Sequence, residues 1–323
     1  MLNRLVIFAK KHKKLLLTIA IVLALVLFAK SIFFENGTSA EVKSSEKMSQ
    51  SEQNDKIKAN ADKYQPKYDW LEKHPSEMGI TAKSAIAIDQ KGGLIAYAKN
   101  EHDKLPPASI TKVLTLITVL ENMKTDKLCE VSQKAADTQP NKIVMRAGEK
   151  LRVEDLLYGM MMISANDAAE VLAECYDGGR DKFIEKMNER VRLLGLKNSV
   201  FRDPNGLNDV DQLSSSYDMA TITRYGLLTQ PKLLDYMGKK GDYSVYPSEN
   251  NESHSWYQIS HLLSTYQGME GAKTGYTHEA KNTYIGVASR ENRRIIIVYF
   301  AAETTTSDAT SLLEYGFSNN PNL

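Results

Sequence analysis

Residues 84–98 read Ser-Ala-Ile-Ala-Ile-Asp-Gln-Lys-Gly-Gly-Leu-Ile-Ala-Tyr-Ala, and this stretch decides the fold class. Two apolar runs flank a Gly-Gly pair, which is the pattern of two antiparallel strands joined by a tight turn. The globular part of the chain begins shortly before this hairpin, near Tyr68.

Three further segments that favour strands lie close to the C-terminus, because they are rich in β-branched and aromatic residues. They cover residues 273–276, 282–289 and 294–302. Between the two groups of strands the apolar spacing is helical and predicts helices at 110–121, 153–174 with a break at Ser164-Ala-Asn166, 181–194 and 214–228. A last helix is predicted at 312–317. This order predicts an α+β fold: one five-stranded antiparallel sheet closed by both chain ends, with a mostly helical cluster beside it.

The N-terminal segment has the pattern of a membrane anchor. Basic residues precede an apolar run at residues 15–34, which is long enough for a helix to cross a bilayer core of roughly 30 Å. The basic flank predicts that residues 1–14 are cytoplasmic and that the rest of the chain lies outside. A cleaved signal peptide is the alternative, because Thr38-Ser39-Ala40 is a tolerable cleavage site. Residues 35–66 are polar and predict a disordered tether, followed by one globular domain at 67–323.

The charge balance argues against a nucleic-acid binder, since Lys+Arg 41 and Asp+Glu 40 leave a net charge of only +1. The two cysteines, Cys129 and Cys175, could form a disulfide outside the cytoplasm or could both be small buried hydrophobic residues. The histidines show no short metal-ligand spacing, and the chain has no Gly-rich phosphate loop. We therefore expect neither a metal nor a cofactor.

Three short motifs carry the chemistry, and each of them alone is a weak signal. In chain order they are Ser109-Ile-Thr-Lys112, Ser164-Ala-Asn166 and Lys273-Thr-Gly275. A serine at a helix start is more often an N-cap than a nucleophile. The combination is specific because the motifs occur in this order, each in a suitable local context.

The first motif predicts a nucleophile with a base beside it. Ser109 and Lys112 lie on one face of the helix that follows Pro106-Pro107, so the amine can reach the hydroxyl. The helix N-terminus also favours developing negative charge. A lysine acts as a base only when it is neutral, and burial together with a second cation, Lys273, would lower its pKa.

The third motif predicts a binding site for an anionic group of the substrate. Lys273 is expected to stay charged and to attract a negative group, helped by the hydroxyl of Thr274. Gly275 leaves room for a substrate backbone to run along the strand edge.

With these residues the chain resembles the serine D-alanyl-D-alanine carboxypeptidases, the low-molecular-mass penicillin-binding proteins of the β-lactamase/transpeptidase-like clan. The resemblance covers about residues 70–305. Further matching stretches are Tyr97-Ala-Lys-Asn100, Phe201-Arg-Asp-Pro-Asn-Gly-Leu207 and Gly271-Ala-Lys-Thr-Gly-Tyr-Thr277. The chain departs from the family at Lys281-Asn282, where the family often has glycine after alanine.

The resemblance implies a role for each motif residue. Ser109 would form the acyl-enzyme, Lys112 would take its proton, and Ser164 would relay a proton to the leaving group. The substrate would be bound by Asn166, Lys273, Thr274, Gly275 and Tyr276, and Asn166 would also hold Lys112. The backbone N–H groups of Ser109 and Tyr276 would form the oxyanion hole.

The implied activity is removal of the terminal D-alanine from peptidoglycan stem pentapeptides, with penicillins and other β-lactams acylating the same serine. The catalytic domain at 67–323 would lie outside a bacterial cell membrane, held by a single N-terminal helix. One alternative is an endopeptidase or transpeptidase of the same clan. Another is a β-lactamase, which would need a deacylating base; Asp203 could serve, but an aspartate before Pro204 is more often a turn residue. A non-catalytic penicillin sensor is the third, although residues 1–14 are too few for a signalling domain.

Overall fold

The structure is a computed structural model that describes residues 49–69, 78–207 and 210–319. The expected cytoplasmic segment 1–14 and transmembrane helix 15–34 lie outside these ranges. Among the described residues, no helix is both long and apolar enough to cross a bilayer. The fold described below is that of the compact unit Asn54–Leu323.

The strands follow one another along the chain as β1 (Ser84–Asp89), β2 (Ile95–Lys99), β3 (Leu128–Glu130), β4 (Lys150–Arg152), β5 (Asp242–Val245), β6 (His254–Tyr257), β7 (Met269–Thr277), β8 (Lys281–Arg290) and β9 (Arg293–Ala302). The helices are α1 (Gln50–Ala59), α2 (Ala61–Tyr64), α3 (Lys112–Asn122), α4 (Gln133–Ala136), α5 (Val153–Met162), α6 (Asn166–Glu174), α7 (Gly179–Leu193), α8 (Ser216–Thr229), α9 (Leu233–Met237), α10 (His261–Thr265) and α11 (Thr306–Ser318). A short 3-10 helix, Ala108–Thr111, leads directly into α3.

The central sheet has five antiparallel strands in the order β2-β1-β9-β8-β7, which confirms the predicted α+β fold. β1 pairs with β9, so the first and last strands of the sequence lie side by side in the middle of the sheet. The Gly-Gly turn of the hairpin also forms as predicted. Gly93 has a φ of +75°, a conformation that glycine adopts without steric cost, and the carboxylate of Asp89 accepts the Gly92 N–H at 2.8 Å.

Both faces of the sheet are buried, because strand residues alternate in direction. On β9, Ile296, Val298 and Phe300 belong to the core shared with the helical cluster that includes α3, α5, α6 and α8. The alternate residues Ile295, Ile297 and Tyr299 join a second core with α10 and α11. This explains why β9 is a nearly continuous apolar run.

The segment before the hairpin differs from the disordered tether that its composition predicts. Residues 54–64 continue α1 and form α2, and both Ile57 and Tyr64 are buried. The ring of Tyr64 meets that of Tyr225 edge-on at 5.0 Å, and the Gln65 side chain donates to the carbonyl of Leu194 at 2.9 Å. The prediction of disorder is therefore wrong for residues 54–66, because two apolar side chains in a polar segment are enough to dock it. Residues 35–48 lie outside the described ranges.

Two short ribbons, β3–β4 and β5–β6, were not predicted, since strands of three or four residues leave almost no periodic signal. The first ribbon carries Cys129, which forms a disulfide with Cys175 at the end of α6. The structure thus selects the disulfide from the two alternatives that the sequence left open. It ties the ribbon to the helix that begins with Asn166.

Candidate active site

Ser109 lies in the 3-10 helix that precedes α3, in a turn held from two sides. The residue before it, Ala108, has a φ of +47°, which is uncommon for a residue with a side chain. On one side the hydroxyl of Thr283 donates to the carbonyl of Pro107 at 2.9 Å. On the other side Gly206 packs so closely that a Cβ there would lie 1.9 Å from the Ala108 carbonyl oxygen. Sheet and loop together fix the position of the serine.

The amine of Lys112 has three oxygen neighbours. Its Nζ lies 2.8 Å from the hydroxyl of Ser109, 2.7 Å from Oδ1 of Asn166 and 2.6 Å from the carbonyl oxygen of Asn205. A neutral amine has two N–H bonds and one lone pair. The amide and carbonyl oxygens can only accept hydrogen bonds, so they take the two N–H groups and leave the lone pair for the Ser109 hydroxyl. This arrangement suits a general base.

The surroundings of Lys112 favour its neutral form. The side chain is completely buried. Burial lowers its pKa well below the usual value, and the positive charge of Lys273 lowers it further. The carboxylates of Asp203, Glu170 and Asp167 act in the opposite direction. Lys112 is therefore buried and has a lowered pKa, as the sequence predicted, and its role as the base remains a prediction.

Ser164 of the second motif lies next to Lys273 of the third. Ser164 lies in the connection between α5 and α6 with a φ of +63°, a strained conformation of the kind that persists where the surroundings enforce it. The amine of Lys273 on β7 donates to the Ser164 hydroxyl at 3.0 Å and to the carbonyl of Thr274 at 2.7 Å. The second and third motifs are therefore in direct contact.

Lys273 is almost fully buried, and burial lowers its pKa to about 7. We expected this lysine to stay charged, whereas a pKa near 7 means that a large fraction is neutral at neutral pH when no anion is bound. An anionic substrate group would favour the charged form and raise this pKa.

Asn166 is hydrogen-bonded both to Lys112 and to the loop at residues 139–141, part of which lines the cleft. Its Oδ1 accepts from Lys112, while its Nδ2 donates to the carbonyls of Gln139 and Pro140, each at 3.0 Å. Its backbone N–H donates to the carbonyl of Asn141 at 2.7 Å. The predicted contact between Asn166 and Lys112 is present, and the contact of Asn166 with a substrate remains a prediction.

The motif residues border one cleft of about 430 Å³. Its lining consists of Ser109, Pro140, Asn141, Ser164, Asn166, Leu207, Ile259, Thr274, Gly275, Tyr276, Asn282 and Thr305. Lys112 and Lys273 do not line the cleft themselves. Each is hydrogen-bonded to a serine that does, Lys112 to Ser109 and Lys273 to Ser164. A Cβ at Gly275 would lie 2.8 Å from the backbone nitrogen of Ser109, so glycine lets β7 approach the serine closely.

The departure from the family at Lys281-Asn282 has a structural counterpart. Lys281 has a φ of +56°, a conformation that favours the glycine often found there in the family. Asn282 pairs with Tyr276 across β7 and β8 and lines the cleft. Its side chain donates to the carbonyl of Ala302 at 3.0 Å, which links the cleft wall to the end of β9.

Asp203 is part of a turn, which is the interpretation that the sequence favoured over a deacylating base. Its Oδ1 accepts the N–H groups of Asn205 at 3.0 Å and Gly206 at 2.6 Å. This is the usual role of an aspartate in a turn. The turn presents the carbonyl of Asn205 to Lys112, a contact that the sequence analysis missed. The Asp-Pro-Asn-Gly stretch signalled a turn, but not which oxygen would face the amine.

The sequence of residues 71–304 matches the peptidase S11 family, described as D-alanyl-D-alanine carboxypeptidase. The D-alanyl-D-alanine carboxypeptidase DacF of Bacillus subtilis is 34% identical over 255 residues, which are 76% of this chain and 64% of that protein. DacB2 of Mycobacterium tuberculosis, another D-alanyl-D-alanine carboxypeptidase, is 30% identical over 250 residues, 74% of this chain and 84% of the relative. The chain therefore spans less than two thirds of the length of the Bacillus relative.

Solved structures give the same result for the fold. A Streptomyces DD-transpeptidase matches 76% of this chain and 100% of its own, with a TM-score of 0.71 and 27% identity. A D-alanyl-D-alanine carboxypeptidase of Mycobacterium tuberculosis matches 77% of this chain and 96% of its own, with a TM-score of 0.70 and 26% identity. With the family match extending over most of the chain, the protein belongs to the peptidase S11 family of D-alanyl-D-alanine carboxypeptidases.

Proposed function

We propose that this protein is a serine D-alanyl-D-alanine carboxypeptidase that removes the terminal D-alanine from peptidoglycan stem pentapeptides. One observation carries the proposal: the buried amine of Lys112 lies 2.8 Å from the hydroxyl of Ser109, which lines one cleft with Ser164, the hydrogen-bond partner of Lys273. Membership of the peptidase S11 family and the similarity to the D-alanyl-D-alanine carboxypeptidase DacF support the same substrate class.

In the proposed acylation step, Lys112 takes the hydroxyl proton as the Oγ of Ser109 attacks the penultimate D-alanine carbonyl. The new oxyanion accepts hydrogen bonds from the backbone N–H groups of Ser109 and Tyr276. The C–N bond then breaks, and the leaving amine receives a proton from the Lys112 ammonium through the hydroxyl of Ser164. A water molecule, deprotonated by Lys112, subsequently cleaves the ester and restores Ser109.

The third motif would orient the substrate by its terminal carboxylate. Lys273 supplies the positive charge and Thr274 a hydroxyl, and both belong to β7, which also carries Gly275. Because Lys273 also donates to Ser164, the carboxylate and the proton relay would share one cation. A substrate without the terminal carboxylate should therefore bind weakly and transfer its proton slowly.

The test is digestion of a stem pentapeptide by the wild type and by Ser109→Ala, with the products identified by mass. The wild type should release one alanine, and Ser109→Ala should release none while unfolding at the same temperature. Release of a dipeptide, or cleavage of cross-linked dimers alone, would contradict the carboxypeptidase proposal and indicate an endopeptidase. Rapid sustained turnover of nitrocefin would indicate a β-lactamase.

A transpeptidase is the second candidate, because one of the similar solved structures is a DD-transpeptidase. The two activities share the acyl-enzyme and differ in whether water or an amine attacks it. Adding a D-amino acid to the pentapeptide digest separates them. A dominant exchange product carrying the added amino acid would favour transpeptidation, and its absence would favour hydrolysis.

We further propose that the domain at 67–323 works outside the membrane of a bacterial cell, with residues 15–34 as a single-pass anchor and 1–14 in the cytoplasm. The basic flank of the apolar run supports this orientation, and the Cys129–Cys175 disulfide fits an oxidising compartment. Protease treatment of intact spheroplasts should degrade the domain. Full protection until the membrane is lysed would contradict the proposal.

A further inference from the structure

Glu170 is a buried carboxylate beside the candidate active site with no part in the mechanism above. It lies on α6, one helical turn after Asn166, and only 6% of it is exposed. Its Oε2 accepts from Nε of Arg180 at 2.6 Å. Its Oε1 accepts from the side-chain nitrogen of Asn205 at 2.8 Å. A buried charge is costly unless it is paired and hydrogen-bonded, and both conditions are met here.

Asn205 connects Glu170 to the base. The same residue whose side chain donates to Glu170 offers its backbone carbonyl to Lys112 at 2.6 Å. Asn205 is therefore the single residue that links the carboxylate of Glu170 to the amine of Lys112. If Asn205 shifted, the amine would lose one of the two acceptors that direct its lone pair at Ser109.

We propose that Glu170 is a positioning residue for Lys112: it anchors Asn205, and through Asn205 it orients the amine toward Ser109. Arg180 holds Glu170 in place from the solvent side. The inference rests on the proposed function only in that Lys112 is taken as the base.

The charge of Glu170 gives the proposal a second readout. The charged groups that act on Lys112 are Lys273 on β7, Asp167 and Glu170 on α6, and Asp203 in the turn. The three carboxylates favour the ammonium, whereas burial and Lys273 oppose it. Removing the charge of Glu170 while keeping its shape should therefore lower the pKa of Lys112 further. The pKa of Lys112 reports the charge of Glu170, whereas the acylation rate reports whether Asn205 is anchored.

Two variants separate anchoring from charge. Glu170→Gln keeps the side-chain volume but removes the charge. It also replaces one of the two carboxylate oxygens, which accept hydrogen bonds from Asn205 and Arg180, by an NH₂ group. Asn205→Ala removes the anchoring donor but leaves the charge of Glu170 and the backbone carbonyl. Glu121→Gln is the matched control, because Glu121 forms a comparably buried pair with Arg190, at 2.7 Å, near the far end of α3.

The experiment follows Lys112 directly and through its reaction. The pKa is measured from the ¹³Cε shift of labelled lysine, assigned with Lys112→Ala, and acylation by a fluorescent penicillin is timed across pH. Glu170→Gln should lower the pKa of Lys112 by on the order of one unit and slow acylation at its optimum by about tenfold. Asn205→Ala should slow acylation similarly with little change in pKa, and Glu121→Gln should change neither.

The proposal is overturned if Glu170→Gln is acylated at the wild-type rate, whatever the pKa of Lys112, or if Glu121→Gln shifts the pKa and the rate equally. It is also overturned if Glu170→Gln unfolds and Asn205→Ala acylates as fast as the wild type. These outcomes are distinct from failure of the proposed function, in which the wild type would release no D-alanine although the titration of Lys112 would still respond to Glu170.

Discussion

The amine of Lys273 lies 3.0 Å from the hydroxyl of Ser164, although the two residues are 109 positions apart in the chain. This contact joins the connection between α5 and α6 to the edge strand β7, and Ser164 lines the same cleft as Ser109. In the proposed mechanism the two buried lysines have different tasks. Lys112 would have to be neutral to accept a proton, whereas Lys273 would have to be charged to bind a carboxylate.

The rate of acylation should therefore depend on pH as a bell-shaped curve. Activity rises with pH as Lys112, whose pKa is lowered by burial and by Lys273, loses its proton. Activity falls again as Lys273, with a pKa of about 7 in the free protein, becomes neutral. Because the charge of each amine affects the other, the apparent pKa values of the two limbs belong to the pair of lysines and not to either one alone. The measurement is kcat/KM for a stem pentapeptide across pH.

Lys273→Arg assigns the alkaline limb, because arginine stays charged throughout this range. The variant should be slower than the wild type, since a planar guanidinium fits the buried position less well. The ratio of its kcat/KM at about pH 9 to its kcat/KM at about pH 7 should nevertheless be higher than the same ratio in the wild type. An unchanged alkaline limb in Lys273→Arg would show that another group causes it.

Lys112→Arg tests whether the first lysine acts as a base or only as a cation. Arginine keeps the positive charge but does not lose its proton in proteins. The variant should lose labelling by a fluorescent penicillin by at least about a hundredfold, with an unfolding temperature close to that of the wild type. Retention of more than about a tenth of the wild-type rate would mean that Ser109 is activated by a different group.

The sequence predicted correctly those features of the fold and the site that depend on residues close together in the chain. The hairpin, the helix breaks and the three motifs were predictable because each is set within a few residues, as in the Ser109–Lys112 turn. The contacts of Asn205 and Glu170 were not, since they depend on how a turn and a helix face pack against α3. The docking of Ile57 and Tyr64 was missed for a related reason: an average over a polar segment hides two buried side chains.

Gly275→Ala should disable the site without unfolding the domain. A Cβ at this position would lie 2.4 Å from the Thr283 hydroxyl and 2.8 Å from the Ser109 nitrogen, a group proposed to stabilise the oxyanion. Displacing such a donor should slow penicillin acylation by about a hundredfold or more. The control is Gly79→Ala, because a Cβ there would meet no atom within 4 Å. Equal acylation rates in the two variants would contradict the close approach of β7 to Ser109.

Replacing both cysteines should reduce stability but leave the chemistry intact. The disulfide joins residues 46 positions apart, Cys129 and Cys175, and closing a loop of this size contributes about 4 kcal/mol in the chain-entropy treatment. Neither cysteine lines the cleft. The variant carrying Cys129→Ala and Cys175→Ala should therefore unfold at a lower urea concentration and still be acylated at the wild-type rate under folding conditions.

Reductant supplies the control for that prediction. It should lower the urea midpoint of the wild type toward that of the double variant and leave the variant unchanged, because only the wild type has a bond to lose. If reductant leaves the wild-type midpoint unaltered, the two cysteines are not paired in solution. A double variant that unfolds normally but acylates slowly would instead mean that the bond helps to position Asn166 from the opposite end of α6.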